Sequence, residues 1–267
     1  MRLKIDMIAK IFKKNNIRVV DKACSINIGF TNDIYIVDDH YILKVCINKE
    51  NEESFNKECF CYNIFKGKIP VPNIIVADTS RSIIDNYYMI YEKIIGDNLY
   101  SKWHLLNDRE RKSIIRQLAD IINCINTTEY KSFSTELKIN EEINWHDLKY
   151  NSLNEKLNKI KFRNILDDQF IVCIQDYIES NHYALFQQKV GLTYSDLHFD
   201  NVLVFGNTVV GLIDFETTDI LSIDYALDTI KRLSKYPHLY ACEEYEKYVE
   251  QRDYDNLLST TTIMRKN

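Results

Sequence analysis

Two short apolar runs, Val202-Leu203-Val204-Phe205 and Thr208-Val209-Val210-Gly211-Leu212-Ile213, flank the dipeptide Gly206-Asn207. Strand-forming residues on either side of a Gly-Asn pair predict a tight antiparallel hairpin, with positive φ expected at both turn residues. Pairing Phe205 with Thr208 would set Asn201 opposite Leu212, so that Asn201 and Asp214 emerge close together at the hairpin's open end. Asp196 lies five residues before Asn201 and eighteen before Asp214. Two carboxylates and an amide oxygen converging in this way suit a hard cation such as Mg²⁺, which takes few protein ligands and leaves room for phosphate oxygens. Asp and Asn are common turn residues when taken singly. The hairpin, the two spacings and the Ile213-Asp214-Phe215-Glu216 ending together point to phosphoryl transfer.

The rest of the chain narrows the class. At 267 residues it is long enough for one large domain or two lobes with a substantial core. With 45% hydrophobic and 27% charged residues it has an ordinary globular composition. A net charge of −5 argues against a nucleic-acid partner, which calls for a basic face, and is compatible with a cationic substrate. The seven cysteines are scattered and odd in number, a poor disulfide framework that fits a reducing cytosol. Cys59 and Cys61 have no matching Cys/His pair downstream, so zinc is remote. No apolar run reaches the length of a membrane span, and the first twenty residues read as an amphipathic helix and not as an export signal. A cytoplasmic protein without a membrane partner is expected; the sequence leaves the oligomeric state open.

Residues 24 to 91 carry the strand-rich half. Ser25 to Val37 reads as strand, Gly29-containing turn and strand, and Asp38-Asp39 turns the chain into Tyr41-Ile42-Leu43-Lys44-Val45. Such a loop can lay backbone N–H groups over polyphosphate, although a single glycine equally fits an ordinary turn. Lys44 interrupts an apolar strand. It is either an edge lysine reaching solvent or a buried cation with an acidic partner. The next helix, Asn51 to Lys66, offers that partner: Phe55, Cys59, Tyr62 and Phe65 recur at helical spacing, and Glu58 falls on the same inward face. Glu52 and Glu53 read as first-turn charges favoured by the helix dipole. Strands are expected at Ile74–Ala77 and at 87–91, the second running into Glu92-Lys93-Ile94-Ile95-Gly96.

From residue 97 the pattern turns helical. Asn107 with Glu110 resembles a capping box, followed by a stripe of Ile114, Leu118, Ile121, Ile122 and Ile125. A further helix is expected over 165–180, and another at Asp224–Asp228. Trp103 and Trp145 could join an aromatic cage for a quaternary ammonium or belong to the core. Glu243, Glu244 and Glu246 could meet a polyamine, but a solvated helix face is the more ordinary reading. His198 sits inside the Asp196–Asn201 loop and is expected to hold its conformation by hydrogen bonding.

The segment Tyr194-Ser195-Asp196-Leu197-His198-Phe199-Asp200-Asn201, with Ile213-Asp214-Phe215-Glu216 after it, resembles the catalytic loop and metal-binding segment of the aminoglycoside phosphotransferase and choline kinase superfamily. The departure is at the loop's start, where His-Gly-Asp is usual and Tyr194-Ser195-Asp196 stands. The resemblance implies an α+β, two-lobed protein-kinase-like fold, with an antiparallel-sheet N-terminal lobe over 1–96 and a mainly helical C-terminal lobe over 97–267. It implies that Asp196 is the catalytic base, that Asn201 and Asp214 bind Mg²⁺, and that Lys44 pairs with Glu58 on the phosphates. Gly29, Thr31 and Asn32 match the superfamily's Gly-x-x-Asn phosphate loop, and Glu92 and Ile94 its nucleotide-base hinge. Tyr91 would back the base pocket and bias ATP against GTP, unless it is a core tyrosine. Asp224 would brace the catalytic loop. Residues after Tyr236 would line the acceptor pocket, trimmed in part because little chain follows Asp255. The implied donor is ATP or GTP, and the implied acceptor a hydroxyl of a cationic small molecule, an aminoglycoside before choline or ethanolamine. A catalytically silent nucleotide-binding protein is the rival reading, carried by the Tyr194-Ser195 departure.

Overall fold

A computed structural model of the chain describes residues 3–17, 20–26, 31–131, 133, 145–186 and 189–223. Its first half is a five-stranded antiparallel sheet in the order β1-β2-β3-β5-β4, made of β1 (Ala23–Ile26), β2 (Asn32–Val37), β3 (Tyr41–Cys46), β4 (Ile74–Asp78) and β5 (Tyr88–Glu92). Asp38 and Asp39, at φ 52° and 59°, turn β2 into β3, and the amides of Asp21 and Lys22 donate to Asp38 Oδ1 at 3.0 and 2.7 Å. Asp tolerates this left-handed backbone better than most residues.

The central strand β3 shows why the sheet is covered on both faces. Side chains alternate across a strand. Leu43 and Val45 join one core cluster with Ile8, Ile11 and Phe12 of α1 (Ile5–Lys14), while Ile42 and Cys46 join a second with Phe55, Tyr62 and Phe65 of α2 (Glu52–Phe65). Lys44 shares the second face, and at 3% exposure it is no edge lysine. The amphipathic N-terminal helix is therefore present, and it seals the far side of the sheet.

The second cluster continues into the helical half. The chain passes through β6 (Asp97–Asn98) and α3 (Leu99–Lys102) to α4 (Asp108–Thr127), where the expected capping box forms: Asn107 Oδ1 accepts from Glu110 N–H at 3.0 Å and Glu110 Oε2 from Asn107 N–H at 2.9 Å. All five residues of the expected stripe on α4 are buried. After α5 (Trp145–Phe162), α6 (Asp168–Asn181) and α7 (Tyr183–Phe186) come β7 (Val190–Thr193), β8 (Val202–Phe205), β9 (Thr208–Leu212) and β10 (Asp219–Ser222). Strands β6-β8-β9 form one small sheet and β7-β10 another, both antiparallel. The long helix α5 has no counterpart in the sequence reading. The helix expected over 165–180 starts later, where Asp167 accepts from Phe170 N–H at 2.8 Å as its N-cap.

The β8–β9 hairpin differs from expectation in two ways. Positive φ falls on Gly206 (60°) and not on Asn207, the pattern of a type II′ turn. The register also shifts between Leu203 and Val204, so Val202 pairs with Leu212 and Asn201 comes opposite Ile213, not Leu212. A bulge puts one extra residue in β9. Ile213 N–H then donates to Asn201 O at 3.0 Å, carrying the pairing one step past the ladder.

Candidate active site

Lys44 is the hub. Its Nζ lies 2.5 Å from Glu58 Oε2, 2.7 Å from Glu216 Oε1 and 3.4 Å from Asp214 Oδ1. Burial alone would depress the ammonium, but the carboxylates of Glu58, Asp214 and Glu216 outweigh it and hold the Lys44 pKa well above the lysine value. The same burial pushes Glu58 up to about 7, with Lys44 opposing and the other two acids adding. Glu58 reaches the lysine because it lies one helical turn from both Phe55 and Tyr62 on the buried face of α2. A second hydrogen bond fixes it: Tyr62 OH donates to Glu58 Oε1 at 2.6 Å.

The residues expected to form the catalytic loop gather around Asp196. Between β7 and β8, a 3₁₀ turn over Phe199–Asn201 brings Asn201 back onto Asp196. Asn201 Nδ2 donates to the Asp196 carbonyl at 3.0 Å and to Asp196 Oδ2 at 3.1 Å. The same nitrogen lies 3.1 Å from His198 Nε2, so the amide turns its NH₂ toward Asp196 and His198 and its Oδ1 the other way. His198 Nε2 lies 3.4 Å from Asp196 Oδ2 and its Nδ1 3.5 Å from Asp200 Oδ2. Burial disfavours the charged ring, yet those two carboxylates raise it to about 9. His198 thus sits between the loop's acids, where a hydrogen-bonding role was expected.

The Tyr194-Ser195 departure is accommodated by hydrogen bonds to the segment around Asp214. Tyr194 OH donates to Ile213 O at 2.7 Å and Ser195 Oγ to Thr217 O at 2.7 Å. Tyr194 also lies over Phe215, ring centroids 4.6 Å apart. Asp214 takes φ 64°, and its pKa is raised by burial first, then by Glu216 and Asp196 against Lys44.

Glu216 is the residue the sequence reading did not assign. Besides Lys44 it accepts from Thr31 Oγ1 at 3.3 Å and from Asn32 Nδ2, while Asn32 Nδ2 also donates to Thr31 Oγ1 at 2.9 Å. Glu216, from a distant part of the chain, thereby ties Thr31 and Asn32 to the Lys44 cluster. Glu216's position two residues after Asp214 was its only sequence signal.

Among the described residues, Glu58, Asp214 and Glu216 form a group able to hold a metal ion, with ligand atoms within 4.8 Å of one another. Three acids surround one lysine here, and that excess negative charge fits a divalent cation. The Asn201 amide and the Asp214 carboxylate are oxygen donors of the kind Mg²⁺ prefers.

The expected hinge lies at the end of β5. Lys93 N–H donates to His40 O at 2.8 Å, and Ile94 packs so closely on β9 that a Cβ at Gly211 would sit 2.8 Å from its Cδ1. Glu92 is exposed, Ile94 half-buried, and Tyr91, 8% exposed, contacts Tyr62 with centroids 6.1 Å apart. Trp103 is 2% exposed, packed on Phe199 at 4.7 Å with the Arg111 guanidinium 5.6 Å from its ring. It is a core residue and offers no open face for a cage. Gly29, Asp224, Asp228, Glu243, Glu244, Glu246 and the Trp145 side chain lie outside the described residues.

Comparison with known proteins places this geometry. Among curated proteins none matches the sequence. In solved structures the chain is similar to APH(2")-IIa in a streptomycin–ATP ternary complex, at TM-score 0.68 and 17% identity over 100% of this chain and 97% of that one. It is similar to APH(2")-IIIa in a GDP and kanamycin complex, at TM-score 0.69 and 19% identity over 98% and 88%. A thermostable mutant of APH(4)-Ia with ADP and hygromycin B aligns at TM-score 0.59 and 14% identity over 95% and 88%. These likenesses establish the protein-kinase-like fold. The family model described as the phosphotransferase enzyme family matches residues 22–226. The chain therefore belongs to that family, within the aminoglycoside phosphotransferase and choline kinase superfamily, and is a phosphotransferase with an alcohol group as acceptor.

Proposed function

We propose that the protein moves the γ-phosphoryl group of ATP or GTP to a hydroxyl of a cationic small molecule, an aminoglycoside before any other. The observation that supports this reading is that Lys44 pairs with Glu58 and Asp214, while Asn201, which bonds Asp196, is joined to the Asp214 segment through Ile213 N–H. The acceptor class is supported by relatives of the same fold in complexes with streptomycin, kanamycin and hygromycin B. In this reading the chain divides into a nucleotide-binding lobe over 1–96 and a catalytic and acceptor-binding lobe over 97–267.

Each side chain has a task set by its surroundings. Lys44, kept charged by its carboxylate neighbours, neutralises phosphate oxygens; Glu58 holds the ammonium in place. Thr31 and Asn32, with Gly29, form the phosphate loop. The backbone of Glu92 and Ile94 binds the base, and Tyr91 stands behind it. Asn201 Oδ1 and the Asp214 carboxylate would hold Mg²⁺, which when bound supplies positive charge to the transferring phosphoryl group. Asp196, steadied by the Asn201 amide, orients the acceptor hydroxyl and takes its proton as the new P–O bond forms.

The silent-protein reading rested on Tyr194-Ser195, and both residues make hydrogen bonds that fasten the loop to the Asp214 segment. A choline-type acceptor loses Trp103 as a cage candidate. The six described cysteines are all free thiols, in keeping with a cytoplasmic setting, and no helix among the described residues is long and apolar enough to cross a membrane. The test is nucleotide consumption with Mg²⁺ across a panel of aminoglycosides, amino alcohols and sugars. Consumption stimulated by aminoglycosides supports the proposal. Tight nucleotide binding without consumption in any mixture would favour a silent protein.

A further inference from the structure

The peptide unit between Ile213 and Asp214 is held at both of its polar atoms by tyrosine hydroxyls. Tyr194 OH donates to Ile213 O at 2.7 Å, and Asp214 N–H donates to Tyr62 Oη at 3.1 Å. No cis peptide bond occurs among the described residues, and a trans peptide points its C=O and N–H in opposite directions. The two phenols therefore approach from opposite edges. Each tyrosine is only 1% exposed, and both rings pack on Phe215, with centroids 4.6 Å away for Tyr194 and 5.7 Å for Tyr62.

The conformation held in this way is an uncommon one. Asp214 has φ 64°, in the left-handed region that non-glycine residues seldom adopt and keep only where the surroundings over-determine it. The strand ladder does not do this, because β9 ends at Leu212 and Ile213 N–H makes the last backbone bond, to Asn201 O at 3.0 Å. Beyond that point the phenols take over. Tyr62 has a second obligation, since its own hydroxyl hydrogen goes to Glu58 Oε1 at 2.6 Å. One buried oxygen thus joins the partner of Lys44 to the backbone of Asp214.

We infer that Tyr62 and Tyr194 are positioning residues: by gripping the Ile213–Asp214 peptide between their hydroxyls they keep the Asp214 carboxylate turned toward the metal, and Tyr62 couples that hold to the Lys44–Glu58 pair. This rests on Asp214 being a metal ligand, as in the proposed function. Tyr62→Phe and Tyr194→Phe keep the rings and their packing while removing one hydrogen bond each. A buried N–H or C=O without its partner is costly, so the peptide is freed to rotate.

The experiment titrates Mg²⁺ into the full chain with a non-hydrolysable ATP or GTP analogue and reads nucleotide affinity, which needs no acceptor. Each variant is expected to raise the Mg²⁺ concentration for half-maximal effect by about tenfold, with affinity at saturating Mg²⁺ nearly unchanged. An unaltered Mg²⁺ requirement in both variants overturns the inference. A wild type whose nucleotide affinity ignores Mg²⁺ instead overturns the metal reading beneath it. Amide hydrogen exchange decides independently, and on the wild type alone if a variant does not fold. The Asp214 amide should be protected like a core strand amide, and exchange as fast as an exposed turn amide would refute the grip.

Discussion

Lys44 Nζ and Glu58 Oε2 lie 2.5 Å apart with their side chains 4% and 1% exposed, an ion pair drawn almost wholly out of water. The two partners are not equivalent. Glu58 has one cation, whereas Lys44 keeps Glu216 at 2.7 Å and Asp214 at 3.4 Å if Glu58 is neutralised. Removing one member of a buried pair costs about 3–5 kcal/mol because it strands the other. Lys44→Met is therefore expected to lose about 3 kcal/mol or more and to weaken nucleotide binding, and Glu58→Gln to lose clearly less. Urea unfolding of both variants checks the order; equal or reversed losses contradict it.

Gly96 follows the hinge and faces the β8–β9 hairpin with no room to spare. A Cβ there would sit 2.7 Å from Val210 Cγ2 and 3.0 Å from the Val204 carbonyl oxygen, and the second contact is backbone that cannot move aside cheaply. Gly96→Ala should destabilise the fold by about 1–3 kcal/mol and raise the nucleotide Kd, since the displaced segment carries Glu92 and Ile94. A variant with an unchanged unfolding midpoint and unchanged Kd would show that the hinge is not wedged against the hairpin.

Tyr91 is buried behind the expected base site, against Tyr62. If its bulk selects between purines, Tyr91→Ala should shift the ATP-to-GTP ratio of kcat/KM by about tenfold, a size typical of pocket-shape discrimination. Steady-state kinetics with both donors provides the check. An unchanged ratio would make Tyr91 a core tyrosine.

Asp78 supplies a pH signature far from the metal site. It accepts from Ser80 N–H at 2.7 Å, Tyr88 OH at 2.8 Å and Lys14 Nζ at 3.4 Å. Its partial burial acts to raise the pKa, but these bonds prevail and lower it from 3.8 to about 2. A carboxyl whose folded-state pKa is depressed contributes stability in full above its unfolded value and loses it as pH falls through the folded one. Wild type should exceed Asp78→Asn by about 1 kcal/mol at pH 5, after solvent screening, and the gap should close between pH 4 and 2. Thermal melts across that range test it; a gap that stays constant would contradict the assignment.

Much of this was legible before any coordinates. The Lys44–Glu58 pairing followed from helix arithmetic, because three- and four-residue spacings fix which face Glu58 shares with Phe55 and Tyr62. The hairpin was visible from its turn, whereas its bulge was not: one extra residue in β9 leaves no compositional mark. Helix α5 went unseen because its apolar residues are not confined to one face: Leu148, Leu153 and Phe162 are exposed while Leu157 is buried, which blurs the stripe. Glu216 was hidden for another reason. Its partners Thr31 and Asn32 lie more than 180 residues earlier, and sequence spacing carries no information at that range.

The central claim, that Asp196 acts as the base for phosphoryl transfer onto an aminoglycoside hydroxyl, is tested most directly by mass spectrometry of the acceptor. With Mg²⁺ and ATP or GTP, the wild type should add one phosphoryl group to an aminoglycoside of the panel. Asp196→Asn should bind nucleotide as before and transfer it more slowly by about 10²- to 10³-fold or more. Phosphorylation by Asp196→Asn at the wild-type rate, or a wild type that modifies no acceptor while binding nucleotide, would contradict the account.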